Sequence, residues 1–336
     1  MSFKIGILGN GSWATALAKI ITDNDHAIKW WMRSEIAVNH LIQKKHNLDY
    51  LSSVSFNPKL IEPSKNIKLV IENCNAILIA IPSAYLVEVL DQLPADIFQN
   101  KYIISAVKGI LPQSHSLLND YLAQNFNFDL DKYICISGPC HAEEVAQERL
   151  SYLTFSGNKS DQVQNIAKMF ETDYIRVTTN GDIYGTQYAG VLKNIYAVGA
   201  GIAHGLGYGD NFLSVYITNC YRESICLLDK LHDENKGIER PDVHTSAYLG
   251  DLLVTCYSPH SRNRSFGTLI GKGYSISSAI REMNMVAEGY YATKGMHHII
   301  KDTIQLDMPI CHMLHDILWQ GRDPRSAFKE IESLLN

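Results

Sequence analysis

Ile5-Gly6-Ile7-Leu8-Gly9-Asn10-Gly11-Ser12-Trp13-Ala14 joins an apolar run to an alanine-rich one through two glycines. Phe3 to Leu8 reads as a buried strand. Ala14 to Ile21 reads as a helix with Ala14, Leu17, Ala18 and Ile21 on one face. The turn between them has the pattern Gly-x-Gly-x-x-Ala. Gly9 permits the tight turn, and Gly11 lets the backbone approach a pyrophosphate. The third position must be small for helix–strand packing, and Ala14 meets that need. The N–H groups at the helix start then face the phosphates of a dinucleotide.

The same alternation continues outward. Ala27–Trp31, Ala76–Ile81, Tyr102–Val107 and Tyr133–Ser137 are further strand candidates, separated by helix-like segments. Unbroken apolar strands of this kind belong to a mainly parallel sheet covered on both faces. After about Asp182 the character changes to helical patterns at residues 186–203, 212–232, 243–255, 275–281, 289–303 and 310–320. The expected architecture is an α/β Rossmann-type domain over residues 1–184 and an all-α domain over 185–336, with a cleft between them.

Composition narrows the function. Of 336 residues, 46% are hydrophobic and 19% charged, which excludes wholesale disorder. The formal net charge of −5 and the lack of a basic stripe argue against a nucleic-acid partner. The longest uncharged apolar run, between Lys193 and Asp210, is too short and too rich in glycine to span a membrane. The start of the chain has no signal-peptide or transit-peptide character. The 7 cysteines are scattered and odd in number, as suits reduced thiols. These features point to a cytoplasmic protein that is not inserted in a membrane.

Several segments carry chemistry. The second strand ends Trp31-Met32-Arg33-Ser34, and the acid Glu35 comes late. An acid at that strand end favours NAD, whereas Arg33 suits a 2′-phosphate, so the expected cofactor is NADP, or either NADP or NAD. Three strand ends carry special residues: Ile81-Pro82-Ser83, Lys108-Gly109 and Ser137-Gly138-Pro139-Cys140-His141-Ala142. Lys193 lies inside an otherwise apolar helix, where desolvation or a nearby cation would lower its pKa into a range useful for proton transfer. Asp251 begins another apolar stretch. Ser261-Arg262-Asn263-Arg264 offers hydroxyl, guanidinium and amide donors suited to a phosphate dianion. His312 and His315, with Asp316, stand at helical spacing but lack a supporting ligand elsewhere, so no metal is expected.

Taken in order, these blocks resemble the bacterial NAD(P)-dependent glycerol-3-phosphate dehydrogenase family nearly end to end. The most specific are Gly250-Asp251-Leu252, Ser261-Arg262-Asn263-Arg264 and Ala287-Glu288-Gly289. The resemblance implies a helical domain like the C-terminal one of 6-phosphogluconate dehydrogenases. It implies reversible reduction of dihydroxyacetone phosphate to sn-glycerol 3-phosphate for phospholipid synthesis, and a homodimer. It casts Lys193 as the proton acceptor in oxidation. Lys108, Gly138, Cys140, Asp251, Ser261, Arg262 and Asn263 match substrate-binding positions. Ser12, Trp13, Arg33, Lys108, Ala142, Arg262, Val286 and Glu288 match cofactor-binding positions, beside Gly9 and Gly11. Cys140 departs from the family's usual Ser or Thr, and Tyr248 is bulkier than the usual glycine. Related β-hydroxyacid dehydrogenases carry Lys-x-x-x-Asn on the catalytic helix; here Lys193 and Asn194 are adjacent.

Overall fold

A computed structural model describes residues 3–158, 161–234, 241–283 and 286–336. The chain forms two compact units. The first comprises Met1–Ile81, Tyr85–Val107 and Leu118–Ile183; the second comprises Pro82–Ala84, Lys108–Leu117 and Tyr184–Asn336. The two excursions into the second unit begin just past the strands that end at Ile79 and Ser105, and they carry Ser83 and Lys108.

The first unit alternates strands and helices: β1 (Ile5–Leu8), α1 (Ser12–Asp23), β2 (Ile28–Trp31), α2 (Glu35–Lys44), β3 (Ile61–Ser64), α3 (Ile67–Glu72), β4 (Ala76–Ile79), α4 (Ser83–Leu90), β5 (Tyr102–Ser105), α5 (Leu118–Phe126), β6 (Tyr133–Ser137), α6 (Ala142–Ala146), β7 (Ser151–Gly157), α7 (Asp161–Lys168) and β8 (Ile175–Asn180). The strands form one sheet in the order β3-β2-β1-β4-β5-β6-β7-β8. All pairs are parallel except β6 with β7. Ile5, Ile7, Leu8 and all of Ala76–Ile79 are buried, as a doubly covered parallel sheet requires. The strand order reverses between β1 and β4, so their carboxyl ends flank the switch point at which such sheets bind ligands.

Strands β3, β7 and β8 carry no clear signal in the sequence. β3 reads Ile-Glu-Pro-Ser at a sheet edge, where a proline can stay unpaired and one neighbour suffices. β8 lies at the other edge and shows solvent several polar residues. β7 buries Ser151, Thr154 and Ser156 among its apolar residues, which breaks the apolar run.

The second unit is helical: α8 (Ile183–Leu206), α9 (Asp210–Glu234), α10 (Asp251–Tyr257), α11 (Arg262–Gly271), α12 (Ile276–Glu282), α13 (Glu288–His298), α14 (Pro309–Trp319) and α15 (Pro324–Ile331). α8 is buried nearly all round, as expected for a helix apolar on every face. Ile110 and Leu117, from the excursion after β5, join its core with Tyr196, Tyr216, Leu314 and Phe328.

Three segments differ from the sequence pattern. The helix expected over 243–255 starts with a π-helical turn at Ser246–Gly250 and becomes α-helical only at Asp251. The helix expected over 289–303 is α13 followed by a second π-helical turn, Ile299–Ile304. The donor row Ser261–Arg264, which lies outside the expected helices, is the cap and first turn of α11. Glycines hide this helix, because their intrinsic helix propensity is poor. They are there for packing: a Cβ at Gly267 would lie 1.9 Å from the Val198 carbonyl oxygen, and one at Gly201 would lie 2.0 Å from that of Arg264. The α8 and α11 backbones therefore touch, which brings Asn263 to Asn194.

Candidate active site

The glycine turn is held from several sides. Gly9 has φ +113°, and a Cβ there would sit 2.5 Å from the Ala80 carbonyl oxygen just past β4. The Trp30 indole donates to the Gly9 carbonyl at 2.7 Å. Buried Asn47 donates to the Asn10 carbonyl at 2.9 Å and to Thr15 Oγ1 at 2.8 Å. Asn47 carries no sequence signal, because it lies far along the chain in a polar loop.

This turn fits a dinucleotide pyrophosphate. A Cβ at Gly11 would meet nothing within 4 Å, so the backbone there is open to a ligand. The N-cap of α1 is Gly11, which has no side chain to cap the helix, so the first-turn N–H groups have no capping acceptor from it. Ser12 Oγ is buried and has no hydrogen-bond partner among the described residues. Trp13 is half-buried at the same turn, and Arg33 stands exposed two residues beyond β2. Gly138, Cys140 and Ala142 follow β6 in this same unit. Gly138 has φ +123° and Cys140 Sγ donates to the Tyr152 carbonyl at 3.4 Å, so the thiol braces the turn against β7. Ala142 is the first residue of α6.

The second unit holds a buried charge cluster. Lys193 on α8 donates to Asp251 Oδ1, and Lys108 Nζ lies 3.3 Å from Asp251 Oδ2. Asp251 is 1% exposed and Lys193 8%. Burial pulls the Lys193 ammonium down to about 8; Asp251 opposes this and Lys108 adds to it. Burial alone would raise Asp251, but the two lysines more than offset it and hold the carboxyl below its ordinary value. When all three are ionised the cluster carries one net positive charge, suited to a phosphate or a developing oxyanion. Thr255 fixes α10 by donating to the Asp251 carbonyl at 2.6 Å.

A chain of amides sets the elements around this cluster. Asn194 donates to the Lys108 carbonyl at 3.0 Å, Asn263 donates to Asn194 Oδ1 at 2.9 Å, and Gly289 N–H donates to Asn263 Oδ1 at 2.9 Å. The excursion after β5, α8, α11 and α13 are thus registered in one line. Asn263 spends one amide hydrogen and its carbonyl oxygen on this line. Ser261 caps α11 by accepting from Arg264 N–H at 3.3 Å, and Arg262 follows on the first turn. Glu288 accepts from Ser83 N–H at 3.1 Å and from Ser83 Oγ at 2.5 Å. Burial raises the Glu288 carboxyl, while the Ser83 bonds and the positive charge of Arg262 hold it back. Val286 is half-buried just before α13.

The structure therefore brings together Lys108, Lys193, Asp251 and Asn263, with Ser261, Arg262, Val286 and Glu288 in the same unit. Gly9, Gly11, Ser12, Trp13, Arg33, Gly138, Cys140 and Ala142 belong to the other. The Asn194–Asn263 line and the Ser83–Glu288 pair were not legible as contacts, since each joins residues far apart in the chain.

The family model described as the N-terminus of NAD-dependent glycerol-3-phosphate dehydrogenase matches residues 4–163, and the model of its C-terminus matches residues 182–329. The chain belongs to the NAD-dependent glycerol-3-phosphate dehydrogenase family. It is 34% identical over 333 residues to glycerol-3-phosphate dehydrogenase [NAD(P)+] of Bacillus pumilus, covering 99% of this chain and 94% of that protein. The same enzyme of Staphylococcus saprophyticus is 33% identical, with 98% of this chain and 97% of that protein covered. The crystal structure of glycerol-3-phosphate dehydrogenase from Coxiella burnetii matches with a TM-score of 0.90 at 28% identity, over 98% of both chains. Family membership fits the Rossmann-type sheet followed by helices. Tyr248, where the family resemblance leads one to expect glycine, is buried and within 3.2 Å of the Thr186 hydroxyl, so its bulk is used in packing. Among the described residues no group of His, Cys, Asp and Glu is placed to hold a metal ion, and no helix is long and apolar enough to cross a membrane.

Proposed function

We propose that the protein is a glycerol-3-phosphate dehydrogenase that reversibly reduces dihydroxyacetone phosphate to sn-glycerol 3-phosphate with NADPH or NADH, feeding glycerophospholipid synthesis. The observation that carries this reading is the buried Lys193–Asp251–Lys108 bridge, in a chain of this family whose glycine turn fits a dinucleotide.

When bound, the nicotinamide cofactor supplies the hydride that adds to the C2 carbonyl. Lys193 works at the carbonyl oxygen. Its protonated Nζ stabilises the negative charge that develops there and then gives up a proton; in oxidation the neutral amine takes the hydroxyl proton. A value of about 8 keeps both forms populated near neutral pH. Asp251 holds the Lys193 amine in one orientation, and Lys108 adds positive charge beside it. Arg262 and the second amide hydrogen of Asn263 bind the substrate phosphate, with Ser261 beside them. This remote binding energy orients the three-carbon unit. Gly138 and Cys140 contact substrate, and Gly9, Gly11, Ser12, Trp13, Arg33, Ala142, Val286 and Glu288 contact the cofactor. The domains are assigned as 1–184 for cofactor and 185–336 for substrate and catalysis. A cytoplasmic homodimer completes the reading, supported by the family resemblance.

The test is a pair of assays with purified protein, dihydroxyacetone phosphate with NADPH and with NADH, following loss of reduced nicotinamide absorbance. Substrate-dependent oxidation is expected. Lys193→Ala should lower turnover by about 10²–10⁴-fold while leaving cofactor affinity in place. Near-normal turnover in that variant contradicts the role of Lys193. Tight nucleotide binding with no substrate-dependent oxidation contradicts the activity itself.

A further inference from the structure

We propose that Lys65 is the second cation of a site for the adenosine 2′-phosphate, and that with Arg33 it makes the protein prefer NADPH to NADH. The proposal rests on the reading of the glycine turn as a dinucleotide site and adds to it the residue that discriminates between the two nucleotides.

The argument begins with strand register. β2 and β3 are parallel neighbours, with Trp31 opposite Ser64. The pairing continues past both strands: Met32 N–H donates to the Ser64 carbonyl at 3.0 Å, and the Trp31 indole donates to the Lys65 carbonyl at 3.0 Å. By this register Lys65 stands opposite Met32 and Arg33 lies one residue further along, so the two cations sit diagonally from each other at the carboxyl ends of adjacent strands, about 6 Å apart at the backbone. β1, with the glycine turn at its own carboxyl end, is the next strand on the other side of β2. A dinucleotide whose pyrophosphate lies on that turn runs its adenosine ribose toward the end of β2. A group on the 2′-oxygen is then directed at this pair.

The remaining groups favour an anion there. Both cations are exposed, and neither side chain takes part in a hydrogen bond or ion pair among the described residues. Neighbouring polar groups are already committed: Lys29 pairs with Glu62, and Asn66 accepts from Leu69 N–H at 3.1 Å as the cap of α3. Ser34 precedes α2 and makes no side-chain capping bond, which leaves its hydroxyl for a ligand. Glu35, in the first turn of α2, is the opposing charge and the natural acceptor for a bare 2′-hydroxyl. Two cations against one carboxylate favour the phosphate. Removing Lys65 evens the count.

The experiment compares adenosine 2′,5′-bisphosphate with adenosine 5′-monophosphate as probes of the full-length protein, by titration calorimetry and by the fluorescence of the adjacent tryptophans. Wild type is expected to bind the bisphosphate more tightly. Lys65→Gln should weaken it about three- to tenfold, reduce its salt dependence, and leave the monophosphate unchanged. Lys65→Arg should restore binding. In steady-state assays KM for NADPH should rise in Lys65→Gln while KM for NADH stays constant. An equal effect on both nucleotides, or none, overturns the role of Lys65 and leaves the dinucleotide reading intact. Failure of wild type to bind either nicotinamide nucleotide overturns both.

Discussion

Replacing Asp251 by Asn keeps the size of the side chain and removes the carboxylate that Lys193 and Lys108 share. In the wild type burial holds Lys193 at about 8, with Lys108 pushing it further down and Asp251 pulling it up. An opposite charge in contact is worth about one to three pKa units, so Lys193 in the variant should titrate roughly between pH 5 and 7. In the proposed role of Lys193, oxidation of glycerol 3-phosphate needs the neutral amine. Its kcat/KM should therefore rise with pH up to about 8 in wild type and level off above. In Asp251→Asn the break should fall below about pH 7, with a lower plateau because the amine is a weaker base. By the same proposed role, reduction needs the ammonium, so at pH 7.5 it should be about three- to 200-fold slower in the variant and recover partly on acidification. Stability carries the same signature. A lysine lowered in the folded state binds fewer protons there than in the unfolded chain, so its cost is greatest at low pH and disappears as pH rises toward 10.5. The variant should lose about 3–5 kcal/mol near neutral pH, with the deficit shrinking at alkaline pH. Initial rates in both directions from pH 5.5 to 9.5, with urea unfolding at matched pH, test this. A folded variant whose oxidation break stays at or above about 8 refutes the electrostatic account.

Gly9 and Gly11 should respond oppositely to alanine. Gly9→Ala forces a Cβ to 2.5 Å from the Ala80 carbonyl at a positive φ and should impair folding, as soluble yield and melting would report. Gly11→Ala meets nothing within 4 Å, so it should fold normally yet bind NADPH at least about tenfold more weakly by fluorescence titration. Gly109→Ala puts a Cβ 2.3 Å from Ser83 Oγ and 2.7 Å from Glu288 Oε2, and should lower kcat/KM by breaking that pair while the fold survives; unaltered kinetics would show the pair to be dispensable. Glu223 accepts from Tyr196 OH at 2.9 Å and from Ile310 N–H at 2.6 Å, and burial raises its carboxyl to about 7. Between about pH 4.5 and 7 the folded protein keeps a proton that the unfolded chain has released. The stability of wild type relative to Glu223→Gln should thus fall by up to about 3 kcal/mol across that window and stay flat above it. A difference that rises with pH would contradict the assignment.

Local rules carried far in this chain. The apolar runs at β1, β4, β5 and β6 announce buried parallel strands because a doubly covered sheet leaves no polar face to interrupt them. Gly9-x-Gly11 announces its turn because the backbone conformation at Gly9 excludes other side chains. Lys193 stands out because an ammonium amid apolar neighbours needs a partner. The donor row at Ser261–Asn263 is visible as chemistry but not as the start of α11, since the glycines that let α11 touch α8 also erase the helical pattern.

What the sequence alone determined was the class of fold, the glycine turn between β1 and α1, and the residue types suited to proton transfer, because these depend on local geometry and on residue chemistry. Tertiary structure alone decided that Asp251 bridges two lysines, that Asn194 and Asn263 link the Lys108 backbone to the start of α13, and that Glu288 closes on Ser83. Each of these contacts joins residues dozens to hundreds of positions apart. A polar side chain shows its capacity to bond wherever it stands in the sequence, but its partner is fixed only when packing carries both out of water to the same place.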